Sequence, residues 1–315
     1  MSAFLLHGTT LALAWFLVFN ASVTAAVALL SIQLARRERP ASPGQWLALR
    51  LAPAALSIAF VAIVFLPSYW RFEPREGVEG FDLTLTTLAV LALAVIGSGV
   101  ARGVAAWRSA ARRTEQWMRA SQPLALDGAA MPAVAVDANA PVMALVGVLR
   151  PRLLITRPVL EALTGEELQA GVAHELGHWR AWDNLKRFAM RAAPDLWFAT
   201  GAARSLERRW AAASEHAADR GAGAGERERC ALASALVKVA RLTPPAAPLE
   251  EPISALVDGG DITARVQRLL DDAPSDPGRR SSRWLAIFFA APVLAYAPLL
   301  RLVHTVTELL VNSLP

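Results

Sequence analysis

The chain has 315 residues, 54% of them hydrophobic, and carries a formal net charge of +5. Soluble domains contain about 45–50% apolar residues, and here the excess is concentrated in uncharged blocks, which indicates membrane spans and argues against a purely soluble protein. The basic residues are almost all arginines that flank these blocks, so they indicate membrane topology and membrane lipid, with no direct nucleic-acid partner. The single cysteine, Cys230, excludes an intrachain disulfide.

Four uncharged apolar blocks are each close to the roughly 20 residues that cross a bilayer as a helix. They cover residues 9–35, 51–70, 83–101 and 284–300. The alternative for each block is a buried core helix, and it is strongest for the fourth block, which contains Pro292 and Pro298. No basic stretch precedes the first block, so a cleaved signal peptide is not expected.

Arginines cluster in the first loop, after the third block and before the fourth. The positive-inside rule then places the N-terminus outside and the long segment 107–282 in the cytoplasm. The predicted organisation is a membrane region over 1–106 with three spans, a cytoplasmic domain over 107–282, and a fourth span with a short extracytoplasmic tail over 283–315. This is the layout of a multi-pass protein of the bacterial inner (cytoplasmic) membrane.

The cytoplasmic segment begins with short apolar runs, which predict strands at 133–136, 143–148 and 152–156. Thr164 and Glu167 form a capping box that predicts a helix over 165–191. Further helices are predicted over 203–221 and 226–242, with a last short helix opened by the sequence DGGDITARVQRLLDD. The predicted fold class is mainly α, with four transmembrane helices and an α+β domain that combines a small β-sheet with helices.

The sequence HELGH at 174–178 places two histidines one helical turn apart, so His174 and His178 can both reach one metal ion. A catalytic zinc site needs three protein ligands and an open position, and Glu215 in the sequence SEHAADR is the predicted third ligand. Glu175 is the predicted general base, which takes a proton from water and passes it to the leaving amine. Asp219 follows Glu215 by one turn and is predicted to support a ligand histidine.

Several roles stay open from the residues alone. His216, next to Glu215, is an alternative third ligand, although it faces a different side of the helix. Asp183 either anchors an arginine or orients the metal-binding helix, or it is solvated surface. Both tyrosines of the chain belong to apolar blocks, so Arg265 or His216 remains as the group that stabilises the oxyanion.

These residues resemble the gluzincin membrane peptidases, specifically the BlaR/MecR-type antirepressor family. The resemblance is carried by Pro141, Gly147 and Arg150-Pro151-Arg152 before an apolar strand, by HExxH followed by Asp183-Asn184, by Glu215 with Asp219, and by the order of the spans. Ala218 stands where many relatives have cysteine. Relatives that sense β-lactams carry a penicillin-binding domain after the last span, whereas this sequence stops at Pro315, which leaves the activating signal open.

The resemblance implies a zinc metalloendopeptidase that cleaves a cytoplasmic protein, such as a winged-helix repressor, in a signalling circuit. It also suggests that the strand at 143–148 is the edge strand that holds the substrate, so that proline at 145 or 146 impairs turnover but not zinc content. One alternative is a quality-control or processing peptidase of the HtpX or CAAX type. Another is a non-catalytic zinc-containing receptor or scaffold. The substrate and the oligomeric state do not follow from the sequence.

Overall fold

In the computed structural model, three long apolar helical segments come first. The backbone is described for residues 2–36, 41–74, 82–126, 130–199, 201–242, 254–255, 262–271 and 283–312. Helix α1 covers Ser2–Ala35; α2 (Pro43–Ala59) continues through a π-helical turn (Phe60–Phe65) into α3 (Leu66–Phe72); α4 covers Leu83–Arg119. Among the described residues, these three segments are long and apolar enough to cross a membrane. The first three predicted spans are therefore confirmed as membrane-length apolar helices.

The outer surfaces of these helices are apolar. Only 28% of the residues in the most apolar window of each segment are buried inside the protein. Leucines such as Leu29, Leu83 and Leu93 are exposed, which is unfavourable in water and favourable in a bilayer. Ser42 and Gln45 form a capping box at the start of α2, and the carboxylate of Asp82 accepts hydrogen bonds from the first amides of α4.

Helix α4 extends well past the predicted end of the third span at residue 101. Its last turns reach the β-sheet, where Trp117 and Met118 pack against one face. The predicted boundary between residues 106 and 107 thus lies inside one continuous helix. Helix α11 covers Arg283–Asn312 and contacts α3 and the π-helical turn; that it is a fourth span remains a prediction.

The sheet has five strands in the order β1-β2-β4-β3-β5. Strands β2 and β4 are parallel, and the other neighbours are antiparallel. The strands are β1 (Ser121–Leu124), β2 (Ala133–Val136), β3 (Met143–Val146), β4 (Arg152–Thr156) and β5 (Ser254–Ala255). The three predicted strands are confirmed, except that β3 ends before Gly147, whose φ of 97° turns the chain out of the strand. Strands β1 and β5 were not predicted.

Strand β3 is not an edge strand, so this part of the prediction is wrong. It pairs with β4 on one side, while Ala144 and Leu145 pair with Ala255 and Ser254 of β5 on the other. A two-residue strand from a distant part of the chain thereby uses backbone groups that an open edge would present. An extended substrate that added to β3 at these residues would have to replace β5.

Helices cover one face of the sheet and α4 reaches the other. The helices are α5 (Arg157–Ala162), α6 (Gly165–Ala181), α7 (Asp183–Ala192), α8 (Ala202–Ala222), α9 (Glu226–Leu242) and α10 (Ile262–Asp271), with a 3-10 turn at Leu196–Ala199. Leu145 and Leu153 point into a core shared with Leu232 and Leu236 of α9. Because side chains alternate along a strand, the intervening Ala144 and Leu154 face Trp117.

The predicted single helix over 165–191 is wrong, because the structure divides it into α6 and α7. Trp182 lies between them with φ 57° and ψ 38°, a left-handed conformation that ends α6. The break redirects the chain so that Asp183 and Asn184, at the start of α7, turn back toward α6 and β3. The predicted capping box of Thr164 and Glu167 is present at the start of α6, and α8 and α9 agree with their predicted ranges within one residue.

Candidate metal centre

Two helices bring three potential metal ligands together. His174 and His178 lie on consecutive turns of α6, and their Nε2 atoms are 3.2 Å apart. Glu215 of α8 faces both, with one carboxylate oxygen 3.4 Å from His174 Nε2 and the other 3.4 Å from His178 Nε2. The helices approach closely at Gly177, where a Cβ atom would lie 3.4 Å from the Cα of Ala218. The small residues at this crossing therefore help to set the position of Glu215.

The spacing of these atoms fits a zinc ion. A tetrahedral ion with bonds of about 2.0–2.1 Å holds its ligand atoms about 3.3 Å from one another. Two imidazoles and one carboxylate are also a ligand set that catalytic zinc sites use. Both carboxylate oxygens of Glu215 are buried and lack a hydrogen-bond partner among the described residues. Such buried oxygens are costly unless a cation compensates them; Arg265 lies 3.1 Å from one of the two, and a metal ion would compensate both.

Each of the two histidines contacts a carboxylate through Nδ1, the ring nitrogen that faces away from the shared site. Asp219 Oδ1 lies 3.0 Å from His174 Nδ1, and Asp183 Oδ2 lies 2.7 Å from His178 Nδ1. These contacts favour a proton on Nδ1, which leaves Nε2 of each ring directed at the shared site. The structure thus brings Asp219 and Asp183 to the positions expected of supporting residues. Asp183 is 2% exposed, which excludes the interpretation as solvated surface.

Three further residues hold this arrangement and were not singled out for that role by the sequence. Ser214 donates a hydrogen bond to Asp183, and Lys186 also contacts that carboxylate. The side-chain amide of Asn184 donates to the carbonyls of Leu145 (3.1 Å) and Gly147 (2.9 Å), which ties the start of α7 to β3. The Asp-Asn pair after HExxH was the signal that could have indicated this link.

Arg265 of α10 lies at the centre and His216 does not. The guanidinium of Arg265 donates to both oxygens of Asp219, at 2.6 and 3.0 Å, and lies 3.1 Å from Glu215. His216 is outside the ligand group and contacts Arg220 at 2.8 Å. The alternative prediction of His216 as third ligand is therefore wrong, because the residue next to Glu215 points about 100° around the helix.

Glu175 is fully buried beside the ligands. Neither of its oxygens has a hydrogen-bond partner among the described residues. Burial raises the pKa of Glu175 to about 8, and the nearby Glu215 acts in the same direction, whereas His174 and Arg265 oppose it. Burial lowers the pKa of His174, but its contacts with Asp219 and Glu215 outweigh this and raise it to about 9. The group combines two imidazoles with a carboxylate, which are donors that suit a divalent cation.

A second group of possible ligands lies outside this domain. Glu73, His304 and Glu308 offer atoms within 4.8 Å of one another, and all three side chains are partly exposed. Such groups of partly exposed side chains are common without an ion, so the buried group at α6 and α8 is the stronger candidate.

Residues 108–283, more than half of the chain, match the sequence profile of Peptidase family M48. No curated protein matches the chain. The matched range begins within α4, ends at the start of α11 and includes every residue of the candidate centre. The chain therefore belongs to peptidase family M48.

Proposed function

We propose that the protein is a membrane-embedded zinc endopeptidase whose site is formed by His174, His178, Glu215 and Glu175. Family membership implies membrane-associated zinc metallopeptidase activity. The observation that carries the residue assignment is the convergence of three ligand side chains, whose facing nitrogen and oxygen atoms lie 3.2–3.4 Å apart, beside a buried glutamate.

The chemistry divides between the ion and the protein. Zinc, when bound by His174, His178 and Glu215, supplies a Lewis acid that polarises the scissile carbonyl and makes water a better nucleophile. Glu175 accepts a proton from the attacking water and delivers it to the leaving amine nitrogen as the carbon–nitrogen bond breaks. Asp219 and Asp183 hold the imidazoles in the orientation that binding requires.

The group that stabilises negative charge on the carbonyl oxygen is proposed to be Arg265. Arg265 is 4% exposed and its guanidinium lies 3.1 Å from Glu215, whereas His216 contacts Arg220. A cation fixed by two carboxylates is preorganised, so it stabilises developing charge without reorientation during the reaction.

The test measures bound zinc and cleavage of an unfolded protein substrate by the purified full chain. We expect Glu175→Gln to retain about one zinc per chain and to lose activity by about 10²–10⁴-fold, the contribution of a general acid–base group. Glu166→Gln is the matched control, since Glu166 lies on the same helix but is exposed and pairs with the exposed Arg227.

Three outcomes would contradict this assignment. Wild type without zinc would reject the metal site, and full activity of Glu175→Gln would reject the base. Zinc retention by a wild type that cleaves no protein would instead favour a non-catalytic receptor or scaffold.

The proposed substrate is a cytoplasmic protein, specifically a winged-helix transcriptional repressor cut within a signalling circuit. Its support is the resemblance to the BlaR/MecR-type peptidases in the strand-helix segment and in the Asp-Asn pair. The match to family M48 adds no support for that subfamily, so a quality-control or processing role of the HtpX or CAAX type is the second candidate. Sequencing new N-termini in cells with wild type or Glu175→Gln distinguishes a cut repressor from cut membrane proteins.

We also propose that the peptidase domain faces the cytoplasm of the bacterial inner membrane. The support is the distribution of arginines around the apolar helices. Cys230 is the only cysteine of the chain and is exposed in the structure, which makes it a built-in reporter. A membrane-impermeant maleimide should label inverted membrane vesicles and not intact spheroplasts; the reverse pattern would reject this orientation.

A further inference from the structure

A polar cavity of about 470 Å³ lies where the long helices meet the peptidase domain. Its walls come from α2, α4, the end of α7, the connection between α7 and α8, and the first turns of α8. The volume is within the range of about 300–1,000 Å³ typical of ligand sites. The charged residues that line the cavity are Arg50, Arg102, Arg191, Arg204, Asp195 and Glu207.

The two acidic residues of the cavity are held by Arg50. Its guanidinium contacts Asp195 at 2.5 Å and Glu207 at 3.0 Å, and it also donates to the carbonyl of Met190. Arg50 is 2% exposed, so this group forms the closed inner wall. The acidic charge of the cavity is therefore directed inward, toward Arg50.

Three further arginines supply the remaining charged side chains of the cavity wall. Four arginines and two carboxylates line it in total, which gives a net charge of +2. Arg102 donates to the carbonyls of Arg191 and Ala193, and Arg191 lies 3.6 Å from Glu207. Arg204 is exposed and has no ion-pair partner within the part of the chain that the structure describes. The cavity thus carries more positive charge than its own acids neutralise.

The height of the cavity matches the surface of a bilayer. Arg50 directly precedes the apolar block 51–70, and Arg102 directly follows the block 83–101. Both arginines therefore mark the level at which the helices leave the hydrocarbon and meet lipid headgroups. Basic pockets between membrane helices at this level are typical sites for anionic lipid headgroups.

We propose that this cavity binds the phosphate-bearing headgroup of an anionic phospholipid. The phosphate contacts the guanidinium groups of Arg204, Arg191 and Arg102, which suit phosphate oxygens because each offers several donors in one plane. The bound headgroup bridges α4 and α8, the helix that carries Glu215 two turns beyond Glu207. The proposal concerns binding and does not depend on the peptidase activity.

The test uses the full chain in detergent with defined lipids. Native mass spectrometry measures retained lipid, and thermal unfolding measures stabilisation, with phosphatidylglycerol compared with phosphatidylcholine. We expect phosphatidylglycerol to be retained and to stabilise the protein, while phosphatidylcholine does neither. Arg204→Gln should weaken phosphatidylglycerol binding about fivefold, as expected for removing one arginine near an anionic headgroup, and Arg204→Lys should retain part of the binding.

The matched control is Arg208→Gln, which removes the same charge from an exposed position on the same helix that does not line the cavity. Equal weakening by Arg208→Gln would overturn the proposal, since binding would then follow only the overall charge. Equal retention of both lipids by wild type would also overturn it. A third arm adds inorganic phosphate alone, and full stabilisation by millimolar phosphate would assign the cavity to a free anion and reject the lipid.

Discussion

The protein has two buried charge clusters. One is the candidate metal centre, and the other joins Arg50 to Asp195 and Glu207 near the ends of the long apolar helices. They differ in how many of their carboxylate oxygens have partners. Near the membrane, Glu207 contacts Arg50 and Arg191, while Asp195 contacts Arg50 and accepts a hydrogen bond from the amide of Trp197. At the centre, no oxygen of Glu175 or Glu215 has a hydrogen-bond partner among the described residues, although Arg265 lies 3.1 Å from one oxygen of Glu215.

The difference separates a structural cluster from a functional one. A buried charge persists at low cost only where partners compensate it, so the cluster around Arg50 is complete in itself and joins helices. At the candidate centre, Arg265 lies beside only one oxygen of Glu215 among the described residues, so the unsatisfied oxygens indicate where the proposed zinc ion would bind. Mutations in the cluster around Arg50 should therefore lower stability, whereas mutations at the centre should lower zinc affinity.

The largest contrast is expected between two glutamates on α8. Glu215→Gln removes a predicted zinc ligand, and we expect zinc affinity to fall by more than the roughly 10–100-fold typical of losing a supporting residue. Glu207→Gln, two turns earlier on the same helix, should keep zinc and lower thermal stability instead. Competition with a chromophoric chelator measures the affinity; equal zinc loss in both variants would remove the distinction between the clusters.

Removing Arg50 from the cluster that it forms with Asp195 and Glu207 should lower the stability of the protein. Arg50→Met leaves Asp195 and Glu207 buried without their main partner, and we expect a loss of roughly 3–5 kcal/mol. Replacing all three residues with apolar ones of similar size should recover most of that loss, because no uncompensated charge remains. Thermal unfolding in detergent compares the variants, and a triple variant as unstable as Arg50→Met would contradict this account.

A supporting residue should have an intermediate effect at the centre. Asp219→Asn keeps the shape of the side chain and removes the charge behind His174, so zinc affinity should fall about 10–100-fold. Ser214→Ala, which removes only one hydrogen bond to Asp183, should have a smaller effect. Zinc affinity unchanged in Asp219→Asn would show that the carboxylate does not support the ligand.

The smallest predicted effect concerns a third group of charges, which joins α6 to α9. Burial opposes ionisation of Glu167, but contacts with Lys238, Ser234 and Thr164 prevail and lower its pKa to about 2 from its usual value of 4.5. Because the folded-state pKa is depressed, this contribution is present above pH 4.5 and is lost as the pH falls toward 2.

Glu167→Gln should therefore lower stability by about 1–2 kcal/mol near neutral pH, a range that allows for solvent screening of the partly exposed Lys238. The difference from wild type should shrink in acid, which melting temperatures at several pH values below 6 can follow. Glu166→Gln is again the control, and a difference that grows in acid would contradict the sign of this linkage.

Local sequence signals were sufficient for much of the fold and for the residues of the centre. The uncharged blocks specify apolar helices because a bilayer needs about 20 such residues. The capping box at Thr164 specifies the start of α6, and the four-residue spacing of His174 and His178 specifies one face. Strands β2, β3 and β4 follow from short apolar runs between turn residues.

Tertiary structure decided the features that depend on distant parts of the chain. Strand β5 has only two residues and no pattern of its own, so its pairing with β3 arises from the fold. The local sequence does not indicate the helix break at Trp182 either, since tryptophan has no preference for the left-handed conformation. The contacts of Asp183 with His178 and of Asn184 with β3 stabilise this break.

The sequence by itself determined which residue types could form the centre and that long apolar helices precede it. Only the tertiary structure decided that Arg265, 50 residues beyond Glu215, joins the centre, and that Arg50 reaches across to Asp195 and Glu207. The physical reason is that periodicity and capping act within about one helical turn. Pairing of buried charges depends instead on which helices pack together, and that is set by the core as a whole.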